Sequence, residues 1–304
     1  MDRIDEELLS QIADLHGVPE GSYNIRKNGQ SIGRASNDDI QIVSKKNKSG
    51  IDIFVKPNVK NKSVHIPVII TVGGLDDVVY NDFYIGENAD VLIVAGCGIH
   101  NSSDKKSQHD GIHTFHLEKN SKVRYIERHL GLGDGAEKVL NPITKVYQKE
   151  GSSLLMETTQ LGGVSSAVRK TIAKVGENAT LVIKEKILTT DSQTAVTNFK
   201  VELEGKNSSV DVISRSVAQK ESRQEFHSNV LGKNACFGHV ECDGIITDKA
   251  QIASVPKIVA ENVEASLVHE AAIGKIAGDQ LTKLMSLGLD ADQAEALIIK
   301  GFLA

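Results

Sequence analysis

A thiol, an imidazole and a carboxylate lie close together near the end of the chain. Glu241-Cys242-Asp243-Gly244 is followed by Val255-Pro256 and by Val268-His269-Glu270-Ala271-Ala272-Ile273-Gly274-Lys275-Ile276, so Cys242 and Glu270 are 270 − 242 = 28 residues apart. Thiolate and imidazole are ligand types that bind iron, and carboxylate is a harder one. The chain has three cysteines, Cys97, Cys236 and Cys242, too few for the four thiolates of an ordinary [4Fe–4S] site. A cluster here needs His or Glu ligands, a second subunit, or ligation that is only transient. Read blandly, Cys242 is a small buried hydrophobe and Glu270 a solvated edge residue. His269 and Glu270 are adjacent, so on a strand they point to opposite faces; one site takes both only through a bulge or a shared dimer interface.

Cys97 follows the apolar run Val91-Leu92-Ile93-Val94-Ala95-Gly96, where it is either a core thiol or one activated by its neighbours. Cys236, His239 and Cys242 have a C-x-x-H-x-x-C spacing, but in a strand His239 faces away from both cysteines, which fails for zinc. His100, His109, His113 and His116 with Glu118 form a second group. It could serve a cupin-like metal-dependent enzyme, although His113 and His116 again fall on opposite strand faces. No Walker loop, GxSxG or HExxH occurs.

The elements that carry these residues are repetitive. Gly86-Glu87-Asn88-Ala89, Glu118-Lys119-Asn120-Ser121, Glu150-Gly151-Ser152-Ser153, Gly176-Glu177-Asn178-Ala179, Gly205-Lys206-Asn207-Ser208 and Gly232-Lys233-Asn234-Ala235 share one phrase. The steps are 120 − 88 = 32, 151 − 120 = 31, 178 − 151 = 27, 207 − 178 = 29 and 234 − 207 = 27. Each phrase is a turn followed by an alternating strand such as Leu181-Val182-Ile183-Lys184. Lys249 and Asn262 repeat it at half the period, 15 and 13 residues on. Two strand-and-turn halves per coil predict a β-solenoid: mostly β, a right-handed parallel β-helix with small helical elements at the termini. A sandwich of hairpins is the rival, weakened by the near absence of Asn-Gly loops. Aromatics make up 4% and Trp is absent, which suits a thin, repetitive β structure.

The spacing of Leu8, Leu9, Ile12 and Leu15 predicts a helix that stops at Gly17-Val18-Pro19. Asp279 to Phe302 reads as two short helices, the second capped by Asp290. The expected division is residues 1–49 as helix and connecting segment, 50–276 as β-helix core and 277–304 as helical segment. A net charge of −5 argues against a nucleic-acid partner. An acidic opening and short apolar runs predict a soluble, cytoplasmic protein with no membrane association. An odd cysteine count makes disulfides an unlikely use of the thiols.

From about Gly21 to Phe302, and most specifically from Cys242 to Phe302, the chain resembles the SufB/SufD family, iron–sulfur cluster assembly scaffolds. The most specific positions are Pro256, His269-Glu270-Ala271, Gly274-Lys275-Ile276, Asp279-Gln280-Leu281, Gly288-Leu289 and Gly301-Phe302. Gly96-Cys97 and Lys122-Val123-Arg124-Tyr125 form a second match. The resemblance implies a non-catalytic scaffold that receives persulfide sulfur and iron, builds a transient iron–sulfur cluster and passes it on. It implies a SufC-like ATP-binding-cassette ATPase, a sulfur donor protein, and a dimer mate that is an identical chain or a SufB/SufD paralogue. Carried over, Cys97 resembles the sulfur acceptor and Cys242 the cluster-building cysteine. Glu270 matches the carboxylate beside it, and His269 the histidine that SufD members keep, so transient iron is expected at Cys242, His269 and Glu270. The chain is SufB-like at this site but shorter than typical SufB. Its rivals are the metal-dependent enzyme using the His100–Glu118 group and a structural SufD-like partner with inert cysteines.

Overall fold

Strands that bury every second side chain have one dry face and one wet face, and stacking them in parallel closes a tube around the dry faces. In the computed structural model, which describes residues 2–17 and 19–304, the chain winds in this way. The first coils use β1 (Ser22–Lys27), β2 (Gln30–Ala35), β3 (Ile40–Ser44), β4 (Gly50–Val55), β5 (Lys62–Ile70), β6 (Asp76–Ile85) and β7 (Asp90–His100). The middle coils use β8 (Ser107–Leu117), β9 (Lys122–Leu132), β10 (Lys138–Leu140), β11 (Ile143–Gln148), β12 (Ser153–Gln160), β13 (Ser166–Val175) and β14 (Thr180–Thr189). The last use β15 (Thr194–Leu203), β16 (Ser208–Ala218), β17 (Arg223–Gly232), β18 (Cys236–Ile246), β19 (Gln251–Ala260) and β20 (Ser266–Gly274). The helices are α1 (Arg3–Ala13), α2 (Gly278–Ser286) and α3 (Ala291–Phe302).

Two ten-stranded sheets face each other, one running β2-β1-β5-β7-β9-β12-β14-β16-β18-β20 and the other from β19 down to β3. Among the described residues antiparallel pairing is confined to β1–β2 and β3–β4, so the hairpin sandwich is excluded. The expected parallel β-solenoid is the fold. Before residue 50 lie α1 and the strands β1 to β3, and β1 is paired in parallel with β5.

The repeated phrase marks the corners. Asn88, Asn120, Asn178 and Asn207 adopt φ between 54° and 57°, and Gly151 takes φ 68°. Asparagine tolerates this left-handed conformation, which other side chains resist by ~1–2 kcal/mol. Asp191, Lys220 and Asp248 form the second row of left-handed corners, spaced 220 − 191 = 29 and 248 − 220 = 28. Asn207 donates to the Asn178 side chain at 3.1 Å, stacking corner on corner.

The lumen holds one continuous core from Ile40 to Cys242, including Phe83 stacked on Phe115 at 4.4 Å. α1 begins with a reciprocal cap between Asp2 and Asp5 and ends at Asp14; Val18, in the expected stop, lies outside the described residues. Its Leu8, Leu9 and Ile12 are buried against Ile25, Ile69, Val94 and Leu130 on the outer wall. The outer wall accepts the helix because Gly96 and Gly98 lack side chains. A Cβ on Gly96 would sit 2.8 Å from the Ile12 carbonyl oxygen.

The far end is open. β19 and β20 each have a neighbour on one side only, and the inward-facing Ile258 and Ile273 are 44% and 39% exposed. The tail helices leave this end uncovered. α3 and the residues after it touch the outside of β14 and β16: Phe302 packs under the Arg215 guanidinium at 5.9 Å, and Lys186 donates to the main-chain oxygen of Ala304. Gln219, just past β16, donates to Glu295 at 3.4 Å. Asp290 caps α3 as expected.

Candidate functional site

On β18 the pleat turns Cys236, Val240 and Cys242 inward and His239, Glu241 and Asp243 outward. The C-x-x-H-x-x-C spacing therefore assembles nothing. Register places Cys242 between Ser214 below and Ala271 above, one coil beneath the open end. His269 pairs with Val240 and Glu270 with Glu241, so His269 shares the inner wall with Cys242 as its diagonal neighbour, while Glu270 stands outside. There the Glu270 carboxylate is 3.6 Å from His239 Nε2, whose Nδ1 is 2.8 Å from Asp211. A single chain thus joins Cys242 with His269 but leaves Glu270 on the opposite face.

Burial pushes the Cys242 thiol up to about 11 and draws the His269 imidazole below its ordinary value. The hydrogen bond that His239 Nδ1 donates to the Asp211 carboxylate raises His239. His269 Nε2 is a buried nitrogen with no hydrogen-bond partner, and the Ser254 hydroxyl, on the facing strand β19, partly offsets burial at the Cys242 thiol. A thiol and an imidazole suit iron, and metal binding would displace the thiol proton that burial retains.

Cys97 lies inside the tube on β7, 2% exposed. Burial, with Asp77 and Glu127 adding, holds its thiol well above the usual range. It lines a small enclosed cavity with His109, His113, Glu127 and His129. Of the His100–Glu118 group, only His109 and His113 face this lumen. His116 stacks outside between Tyr84 and Tyr147 at 4.9 and 5.4 Å, and Glu118 pairs with Lys149 at 2.6 Å. The set expected of a cupin-like enzyme does not converge, because the strand pleat sends its members to both walls.

Polar residues run up the lumen from one cysteine toward the other. The His113 Nδ1 lies 2.7 Å from the Tyr125 hydroxyl, which donates to Glu127 at 2.8 Å. Arg169 donates to Glu127 and to His129 Nδ1, and is 3.5 Å from Glu185. Glu185 accepts from Thr197 at 3.0 Å and from Ser214 at 3.1 Å, and Ser214 is the register partner of Cys242. Burial pushes Glu127 up, but Arg169 and His129 outweigh it and hold the carboxyl well below the ordinary range. For Glu185 burial prevails, and its carboxyl is raised. The sequence reading missed this file. Its signal was present, since Tyr125, Glu127 and His129 continue the inward alternation begun by Val123.

Residues 80–302 match the family model described as the SUF system FeS cluster assembly, SufBD core domain. An iron–sulfur cluster assembly SufBD family protein of Methanocaldococcus jannaschii is 28% identical over 257 residues, which cover 83% of this chain and 79% of that protein. A SufBD family protein of Pyrococcus horikoshii is 26% identical over 280 residues, 90% of this chain and 83% of the relative. The match to a Methanothermobacter thermautotrophicus protein is 28% over 229 residues and takes in 74% of this chain. It covers only 55% of that longer relative, and 60% of a similar protein from Archaeoglobus fulgidus. The chain thus spans little more than half the length of some of the relatives it matches.

Proposed function

The chain belongs to the SufB/SufD family of iron–sulfur cluster assembly proteins, and from that premise we propose that it is a scaffold building a transient cluster at Cys242 and His269. The observation that carries this reading is the unpartnered Nε2 of His269 on the same inner wall as Cys242, one coil from an uncapped end. Cys97 is the sulfur acceptor in this reading, and the polar file through Glu127, Arg169 and Glu185 offers an internal route between the two thiols. Iron and sulfide are substrates, so few and incomplete ligands are an advantage for later release.

Pairing of two chains through the open coils would bring a second set of ligands to the first, an isologous contact if the chains are identical. It would also give Glu270, outside the wall in its own chain, an iron to reach. A SufC-like ATPase and a persulfide donor complete the proposed cytoplasmic machine, with α2 and α3 as the ATPase's candidate contact. Among the described residues no helix is long and apolar enough to cross a membrane.

Anaerobic reconstitution with ferrous iron and sulfide tests the reading. The wild-type protein should gain an oxygen-labile visible chromophore, and Cys242→Ser should lose it while keeping its melting temperature. An unchanged chromophore in Cys242→Ser would instead favour a SufD-like structural partner with inert cysteines.

A further inference from the structure

The lumen near Cys97 contains a second line of hydrogen bonds, separate from the file that leads to Cys242. Strand β8 places His109, Gly111 and His113 at three successive inward positions. Gly111 leaves a notch between the two imidazoles: a Cβ there would lie 3.4 Å from Nε2 of each. Cys97, from the facing sheet, lines the cavity into which this notch opens. Behind His109 stands Asp77, its register partner on β6. Asp77 Oδ2 is 3.0 Å from His109 Nδ1, and Oδ1 accepts from Arg26 at 3.1 Å. Arg26 is itself fixed by the Gly29 carbonyl at 2.7 Å.

The tautomer follows from the donors and acceptors. Burial raises the Asp77 carboxyl, but His109 and Arg26 together bring it below its ordinary value, so it is an ionised acceptor. His109 Nδ1 must then carry a hydrogen, and in the neutral ring Nε2 is the nitrogen with the lone pair. Among the described residues nothing hydrogen-bonds to that nitrogen. His113 is placed otherwise. Its Nδ1 is engaged by Tyr125 and its Nε2 lies 3.3 Å from the Asn81 amide. Burial has brought it down to about 4. Both of its ring nitrogens are engaged.

We propose that His109 is the base that removes the Cys97 proton when sulfane sulfur is accepted, with Asp77 and Arg26 as its positioning residues. The proposal rests on the reading of Cys97 as the acceptor. It supplies what burial takes away, since a thiol held protonated inside the tube is not a nucleophile. The order thiol, imidazole, carboxylate is that of a nucleophile, its base and the group that orients the base. In the transfer, the Cys97 proton passes to His109 Nε2 and the thiolate attacks the terminal sulfur of a donor persulfide, R–S–SH. The new Cys97 S–S bond forms as the donor S–S bond breaks. The leaving R–S⁻ takes the proton from His109, giving Cys97–S–SH and R–SH with no net oxidation. Asp77 stabilises the imidazolium in between.

The test uses the full chain and two small reagents, hydrogen polysulfide and iodoacetamide. Modification of Cys97 is followed by peptide mass spectrometry from pH 6 to 9. His109→Asn keeps an amide N–H where Nδ1–H was and loses only the free lone pair. It should slow both reactions at pH 7 about a hundredfold, the lower end for a lost general base, and make the rate climb tenfold per pH unit without a plateau. Asp77→Asn should slow them too, and it serves in place of His109→Asn if that variant does not melt cooperatively. Rates within twofold of wild type across the pH range in a folded variant overturn the proposal and leave the acceptor reading standing. If wild-type Cys97 takes up no sulfane sulfur, the acceptor reading falls, and the iodoacetamide rates decide the relay by the same criterion.

Discussion

Individual buried ionisable groups make this protein sensitive to acid. His113 titrates near 4 in the folded chain because burial disfavours its charged form, against about 6.5 when unfolded. A base with a depressed folded value contributes full stability above pH 6.5. That contribution is lost as pH falls toward 4, where the unfolded chain binds the proton first. At pH 5 the loss should be about 2 kcal/mol relative to pH 7, read as a lower urea midpoint, and His113→Gln should flatten that part of the curve. Glu127 acts in the same sense at lower pH, its depressed carboxyl giving up stability below about 4.5. Glu185, raised, acts oppositely, and its penalty is relieved as pH falls through its folded value. Arg169 sits between these two carboxylates, so Arg169→Met leaves both uncompensated inside the tube. It should destabilise by about 3–5 kcal/mol, the usual consequence of breaking a buried ion pair, measured by urea unfolding at pH 7.

At the scale of elements, α1 and β7 depend on each other. Burying Leu8, Leu9 and Ile12 contributes roughly 1.5–3 kcal/mol each before chain entropy is counted. That contact needs the bare backbone at Gly96, where a Cβ would meet the Ile12 carbonyl oxygen at 2.8 Å and that of Arg128 at 2.7 Å. Backbone on both sides has little room to yield. Gly96→Ala should therefore cost about 1–3 kcal/mol and loosen α1 before the solenoid, so that limited proteolysis cuts near residue 14 while the strands still melt cooperatively. An α1 that stays protected would show that the helix can shift on the wall without loss. The same helix lies directly behind Cys97, and it backs the strand that presents the thiol to the lumen.

The molecule as a whole has unequal ends. At the beginning, the antiparallel pairs β1–β2 and β3–β4 break the parallel stack and blunt the edge. At the other end β19 and β20 present unpaired backbone and half-exposed Ile258 and Ile273. An open edge of this kind is a template for association. We expect the wild-type protein to sediment as a dimer and Ile258→Glu as a monomer with an unchanged circular dichroism spectrum. A wild-type monomer at micromolar concentration would remove the shared-site part of the proposal and leave the single-chain pair of Cys242 and His269.

The spacing of Asn88, Asn120, Asn178 and Asn207 determined the coil, because a left-handed corner selects residue types that a linear text displays. The alternation of Cys236, Val240 and Cys242 likewise determined which side chains share a wall, since the pleat has a period of two wherever the strand lies. It was enough to separate His269 from Glu270 and His113 from His116. The sharing of one cavity by Cys97 and His109 and the pairing of Asp77 with Arg26 were decided by tertiary structure alone. Cys97 and His109 sit on facing sheets and Arg26 and Asp77 on different coils as well, and their approach depends on how far each strand is offset from the one across the lumen. Turn phrases set the length of a coil but not the register across the lumen. That register is fixed only when Phe83, Phe115 and their neighbours pack, and the same packing leaves the notch at Gly111 open.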